Sequence, residues 1–165
     1  MKKRILLILL VGLLFLAGCS KKEKEEENKP SENVDKIIIG DYDLTLVEKG
    51  SYEDATFKYP KGTVVSSLGT ATTLIYPEKE SDKALFKIGM SKFDNMTIEE
   101  TMTGATFTKV GNVNFNNIEW IMYEDKDHEH SFATTYNNAT YVFGFSIPKE
   151  YIKLEEEFMK TIKFK

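Results

Sequence analysis

The sequence predicts an α+β fold: a single antiparallel β-sheet with a C-terminal amphipathic helix and a short helix packed on it. Three observations predict it. Alternating apolar and polar residues fall in short runs punctuated by Gly, Pro and Asn-Asn, the pattern of half-buried antiparallel strands. Thr97-Ile98-Glu99-Glu100 matches a capping box, followed by Met102 and a stop at Gly104, which describes a short helix. Behind Pro148, Tyr151, Leu154, Phe158 and Ile162 recur at spacings of three and four, which describes an amphipathic helix over residues 148–162.

Residues 36–39 and 42–47 flank Gly40-Asp41, a two-residue hairpin signal. Residues 55–59 alternate and stop at Pro60, residues 72–76 stop at Pro77, and residues 84–90 follow a polar turn at 78–82. After the short helix come residues 106–110, 113–115 and 118–124. Asn116-Asn117 joins the last two, so that Val113, Phe115, Ile118, Trp120 and Met122 share a face. Residues 130–136, the Asn137-Asn138 turn and residues 140–147 continue the meander, with Tyr141, Phe143, Phe145 and Ile147 alternating against smaller residues. The closing helix is expected to press Tyr151, Leu154, Phe158 and Ile162 onto the sheet and to turn Glu155, Glu156, Glu157 and Lys160 outward.

Three segments carry a family likeness: Phe57-Lys58-Tyr59-Pro60, then Ile118-Glu119-Trp120 running into Met122-Tyr123, and finally Glu157-Phe158 through Ile162 to Phe164. Together, over residues 55–165, they resemble the PsbP/Mog1-like group. That resemblance implies an α/β/α sandwich and a role in assembly or partner binding, and it transfers no catalytic residue to this chain. The Trp that often follows the Phe-x-Tyr-Pro element is replaced here by Lys61-Gly62-Thr63-Val64.

The 165 residues are not expected to fold together. Residues 1–18 begin Met-Lys-Lys-Arg and continue through an apolar run at 5–17, which reads as an export signal. The run is too short to cross roughly 30 Å of hydrocarbon, for which a helix needs about 20 residues. Leu16-Ala17-Gly18-Cys19 resembles the lipobox of bacterial lipoproteins. The resemblance implies cleavage between Gly18 and Cys19, a diacylglyceryl group on the Cys19 thiol and acylation of the new amino terminus by a chain such as palmitate. It also implies attachment to the extracytoplasmic face of the cell membrane. Each buried methylene contributes about 0.8 kcal/mol, and two or more chains make such attachment stable. The plainer alternative is an ordinary small-residue cleavage site beside a chance cysteine.

Residues 20–33, SKKEKEEENKPSEN, carry no large apolar residue. With Cys19 they read as a solvated tether over 19–33 rather than a charged interaction arm, holding the globular domain of residues 34–165 about 20 Å off the bilayer. Without residues 1–18 the chain has 19 basic and 26 acidic residues, a formal charge of −7, and no arginine. An acidic surface without guanidinium groups has no footprint for phosphate backbones, so nucleic acid is not an expected partner. Anionic headgroups repel such a body, which leaves its anchoring to lipid. Cys19 is the one cysteine, so the domain's stability rests on packing rather than on disulfides.

Chemistry-bearing motifs are sparse. There is no G-x-S-x-G elbow, P-loop, G-x-G-x-x-G or H-E-x-x-H, and an acylated Cys19 offers no thiolate. Both histidines lie in Glu-Asp-Lys-Asp-His-Glu-His, residues 124–130. If that stretch were extended, Asp125, Asp127, His128 and His130 would be candidate metal ligands, although a closed zinc site needs four groups in fixed geometry. A solvated hairpin tip is the plainer reading, and no cofactor is otherwise expected. The expected function is a non-catalytic binding or assembly module acting on another envelope protein. A small-ligand or metal receptor built on the His128/His130 loop is the alternative, and an enzyme comes third.

Overall fold

The computed structural model describes residues 35–79, 83–104 and 106–165, all within the unit Asn33–Lys165. The expected export signal (1–18), Cys19 and the expected tether (19–33) lie outside the described residues. In chain order, the strands are β1 (Ile38–Ile39), β2 (Tyr42–Asp43), β3 (Leu46–Tyr52), β4 (Ala55–Pro60), β5 (Val64–Leu68), β6 (Ala71–Pro77) and β7 (Ala84–Asp94). Helix α1 (Ile98–Met102) leads to β8 (Thr108–Phe115), β9 (Ile118–Glu124), β10 (His130–Tyr136) and β11 (Ala139–Ser146). A 3-10 turn at Lys149–Tyr151, helix α2 (Ile152–Thr161) and β12 (Lys163–Phe164) follow.

Strands hold 57% of the described residues and helices 14%. The strands form a seven-stranded antiparallel sheet ordered β5-β6-β7-β11-β10-β9-β8, a three-stranded sheet β12-β4-β3, and the small β1-β2 hairpin. This overturns the expected single-sheet α+β fold and, with it, the PsbP/Mog1-like α/β/α sandwich. Two things differ: β3 and β4 form a sheet of their own with β12 instead of joining the large one, and α1 adds little helix. Its capping box forms as expected: Thr97 Oγ1 accepts from the Glu100 amide at 3.2 Å, and Glu100 Oε2 accepts from the Thr97 amide at 2.8 Å. A cap satisfies exposed amides but supplies no apolar stripe. The five-residue helix has no buried residue of its own and covers only a patch of the sheet's second face beside β9–β11, where Tyr123, Ala133 and Thr140 are buried and Thr140 Oγ1 donates to the Met96 carbonyl at 2.6 Å.

Other boundaries move for local reasons. Strand β3 starts at Leu46 because Asp43 accepts hydrogen bonds from the Thr45 amide (3.1 Å) and hydroxyl (2.6 Å), folding the chain between β2 and β3. The two runs at 106–110 and 113–115 are one strand, β8, carrying a bulge between Lys109 and Gly111. Asn116 and Asn117 have φ of 53° and 63°, and Asn137 and Asn138 have 47° and 60°. Two-residue hairpins need positive φ at both positions, and Asn adopts it more readily than most residues.

One face of the large sheet is covered. Phe143, Phe145, Ile88 and Met90 lie buried there. Phe158 of α2 joins the layers, its ring 5.7 Å from Phe145 and 5.5 Å from Phe57 of the three-stranded sheet. Each such side chain contributes roughly 1.5–3 kcal/mol by leaving water.

Candidate functional site

The histidine-containing segment forms the β9–β10 turn, and its side chains go to separate tasks. Asp125 Oδ1 accepts from the amides of Asp127 (2.8 Å) and Glu129 (2.9 Å), so this carboxylate shapes the turn. His128 has φ of 63°, which breaks the alternation that would have aligned it with His130. Its exposed ring makes a 2.6 Å hydrogen bond with Glu124 Oε1. Asp127 lies beside Lys126 at 3.8 Å on the exposed tip. The predicted metal set of Asp125, Asp127, His128 and His130 is therefore dispersed, and no cluster of three or more such ligands occurs among the described residues.

His130 turns the other way. Its Nδ1 lies 2.7 Å from Glu155 Oε1 of α2, with the two side chains 15% and 8% exposed. Glu155, expected on the outer face of the helix, is instead buried in the seam between helix and sheet. Burial pushes its carboxyl above the ordinary carboxylate range, and the hydrogen bond and charge of His130 pull it partway back. This pair ties α2 to the first residue of β10. It is a structural pin, and it commits the imidazole best placed for acid–base work.

A second feature arises from strand register. Strands β9 and β10 pair from Glu124↔His130 to Ile121↔Ala133 and no further. Beyond that point β9 stays with β8 as far as Ile118↔Phe115, while β10 stays with β11 as far as Tyr136↔Ala139. Residues 118–120 and 134–136 thus diverge, bridged by Thr134 Oγ1 donating to the Glu119 carbonyl at 2.8 Å. The divergence opens a cleft of about 790 Å³. That is within the range of about 300–1,000 Å³ typical of small-ligand sites.

The walls of this cleft are set by the sequence of the two Asn-Asn hairpins. Asn116 Nδ2 donates to the Ile162 carbonyl at 2.7 Å, fixing the β8–β9 turn to the residue before β12. Phe164 of β12 lines the cleft, stacked on Tyr136 with centroids 4.5 Å apart and planes at 16°. The Tyr136 hydroxyl donates to the Lys165 carbonyl, which holds the ring in place. Trp120 packs behind, 6.3 Å from Phe164, and its buried Nε1 has no acceptor among the described residues. Periodicity alone misses this cleft, since it depends on where pairing stops. The two closely spaced Asn-Asn turns were its one visible signal.

No family model matches the chain, and no curated protein matches it. A crystal structure from Bacteroides thetaiotaomicron is similar over 70% of this chain at 15% identity, with a TM-score of 0.49. The match spans 47% of that longer chain, so this protein covers about half its length.

Proposed function

We propose that the chain is a lipid-anchored binding module of the bacterial cell envelope, held by Cys19 to the extracytoplasmic face of the membrane and acting without catalysis. The observation that carries the reading is Leu16-Ala17-Gly18-Cys19 directly followed by the charged, apolar-poor residues 20–33. A lipobox-like cysteine ahead of a solvated spacer suits a body that works at a membrane surface. The cleft between β9 and β10 supplies a concave surface for such a role. Binding is favoured over catalysis because the polar side chains of the turn are dispersed and paired off: His130 with buried Glu155, Asp125 with two main-chain amides, and His128 with Glu124 on the exposed tip.

The test is Cys19→Ala in the intact chain. Wild type should fractionate with membranes and take up labelled acyl chain. The variant should lose the label, keep residues 1–18 uncleaved and, if released by other proteolysis, leave the membrane fraction. Normal processing of the variant with full membrane retention would refute the anchor.

A further inference from the structure

We propose that the cleft between β9 and β10 is a carbohydrate-binding site, taking a neutral, polyhydroxylated ligand. This rests on the binding-module reading and adds the class of ligand. The lining chemistry points there first. Asn117 and Thr135 are exposed in the cleft wall and make no side-chain hydrogen bond among the described residues. Asn116 and Asn112, by contrast, are committed to Ile162 and Glu119. A carboxamide presents two donors and an acceptor oxygen, and a hydroxyl both donates and accepts. Neighbouring sugar hydroxyls require that mixture, whereas a carboxylate or phosphate accepts only.

Charge agrees with this assignment. The cleft lining holds one carboxylate, Glu119, and one ammonium, Lys163, so it has no net sign with which to select an ion. The stacked pair of Tyr136 and Phe164 adds an aromatic surface held in place by the Tyr136 hydroxyl, against which the apolar C–H face of a sugar ring can lie. Glycoside cleavage uses two carboxyl groups flanking the bond. With Glu119 alone, and its Oε1 bonded to Asn112 at 2.7 Å, the site is suited to binding rather than hydrolysis. An extended peptide is the competing occupant of a gap between strands, but it would draw on main-chain groups and leave the Asn117 carboxamide and Thr135 hydroxyl unused.

The experiment uses the full chain in detergent micelles, titrated with chitotetraose, cellotetraose and maltotetraose, and separately with a neutral Ser/Thr/Val octapeptide. Trp120 is the one tryptophan, and its contact with Phe164 makes its emission a reporter of the cleft. A saturable response to a tetrasaccharide is expected. Preference for chitotetraose would indicate a wall-type glycan, and preference for the other two a free oligosaccharide. The double variant Asn117→Gly, Thr135→Val should weaken the response about tenfold with little change in melting temperature. Glycine accepts the φ of 63° at position 117, and valine keeps the shape of threonine in a strand. No saturable response to any of the three sugars, an undiminished response in the double variant, or capture of the peptide in their place would overturn the proposal. Membrane retention through Cys19 is read by fractionating the cells before detergent is added, so failure of the anchor and failure of the sugar site are separate results.

Discussion

Strand β7 presents Phe86, Ile88 and Met90 to one side of the large sheet and Lys87, Gly89 and Ser91 to the other. The first three are at most 1% exposed. Gly89 pairs on one side with Gly144 of β11 and on the other with Thr73 of β6, so at the middle of the strand the second side is small and polar where the first is large and apolar. The strand is the same, and what differs is the layer above it. Helix α2 and the three-stranded sheet select bulk on the covered face. Around Gly89 the second face has no such layer over it, since α1 is short and its patch lies over β9–β11 at Tyr123, Ala133 and Thr140.

Phe158→Ala should weaken the covered face most, because Phe158 joins both sheets. A loss of about 3–5 kcal/mol is expected from chemical denaturation, and a loss below about 1 would show that the layers hold together without it. His130→Ala comes next, at about 3 kcal/mol near neutral pH, since it leaves the buried Glu155 carboxylate unpaired. Glu155 has a folded-state pKa raised above its unfolded value. Its contribution is therefore most favourable below the unfolded value near 4.5 and is lost as pH rises through the folded one. The destabilisation in His130→Ala should accordingly shrink as pH falls, which denaturation series between pH 4 and 8 would show. His128→Ala, at the exposed tip, should change stability by less than about 0.5 kcal/mol across that range.

Two glycines sharpen the contrast further. A Cβ on Gly50 would lie 2.6 Å from Phe57 Cε2 and 2.9 Å from Tyr59 Cε1, so Gly50→Ala should cost about 1–3 kcal/mol. At Gly89 the nearest atom, the Gly144 carbonyl oxygen, is 3.9 Å away. Gly89→Ala should be neutral or stabilising by up to about 1 kcal/mol, and a clear loss would mean that the open face is covered in solution. The finest probe is Tyr141, fully buried on the covered side, whose hydroxyl donates to Asp54 Oδ2 at 2.8 Å. Burial, then Asp54, pushes its pKa up to about 12. Spectrophotometric titration should find a tyrosine ionising near that value, and stability owed to its neutral form should hold to about pH 10 and fall as pH rises through 12.

Turn chemistry made much of the meander legible: the Asn-Asn pairs fix two hairpins, and Pro60 and Pro77 close strands where expected. Strand β5 carried no such sign, because Val64–Leu68 is exposed along its whole length and shows no alternation to read. Strand β12 is two residues long and owes its existence to distant β4. Glu155 is the most instructive case. Its spacing from Tyr151, Phe158 and Ile162 places it within the buried stripe, and only its carboxylate argued for the surface. The partner that makes burial tolerable, His130, lies 25 residues upstream. The β9–β10 cleft was hidden for a related reason, since the residue pattern along each strand does not record where the pairing between them stops.

The link between β4 and β12 also bears on the order of folding. Thr56 Oγ1 donates to the Lys163 carbonyl 107 residues away, and the Lys58 amide to Thr161 Oγ1. A chain emerging from its amino end must keep one edge of β4 unpaired until the whole seven-stranded sheet has been made. Closing so long a loop is slow, and an open strand edge invites wrong pairing in the interval. Assembly of this protein thus has its vulnerable moment early in the chain and its rescue late.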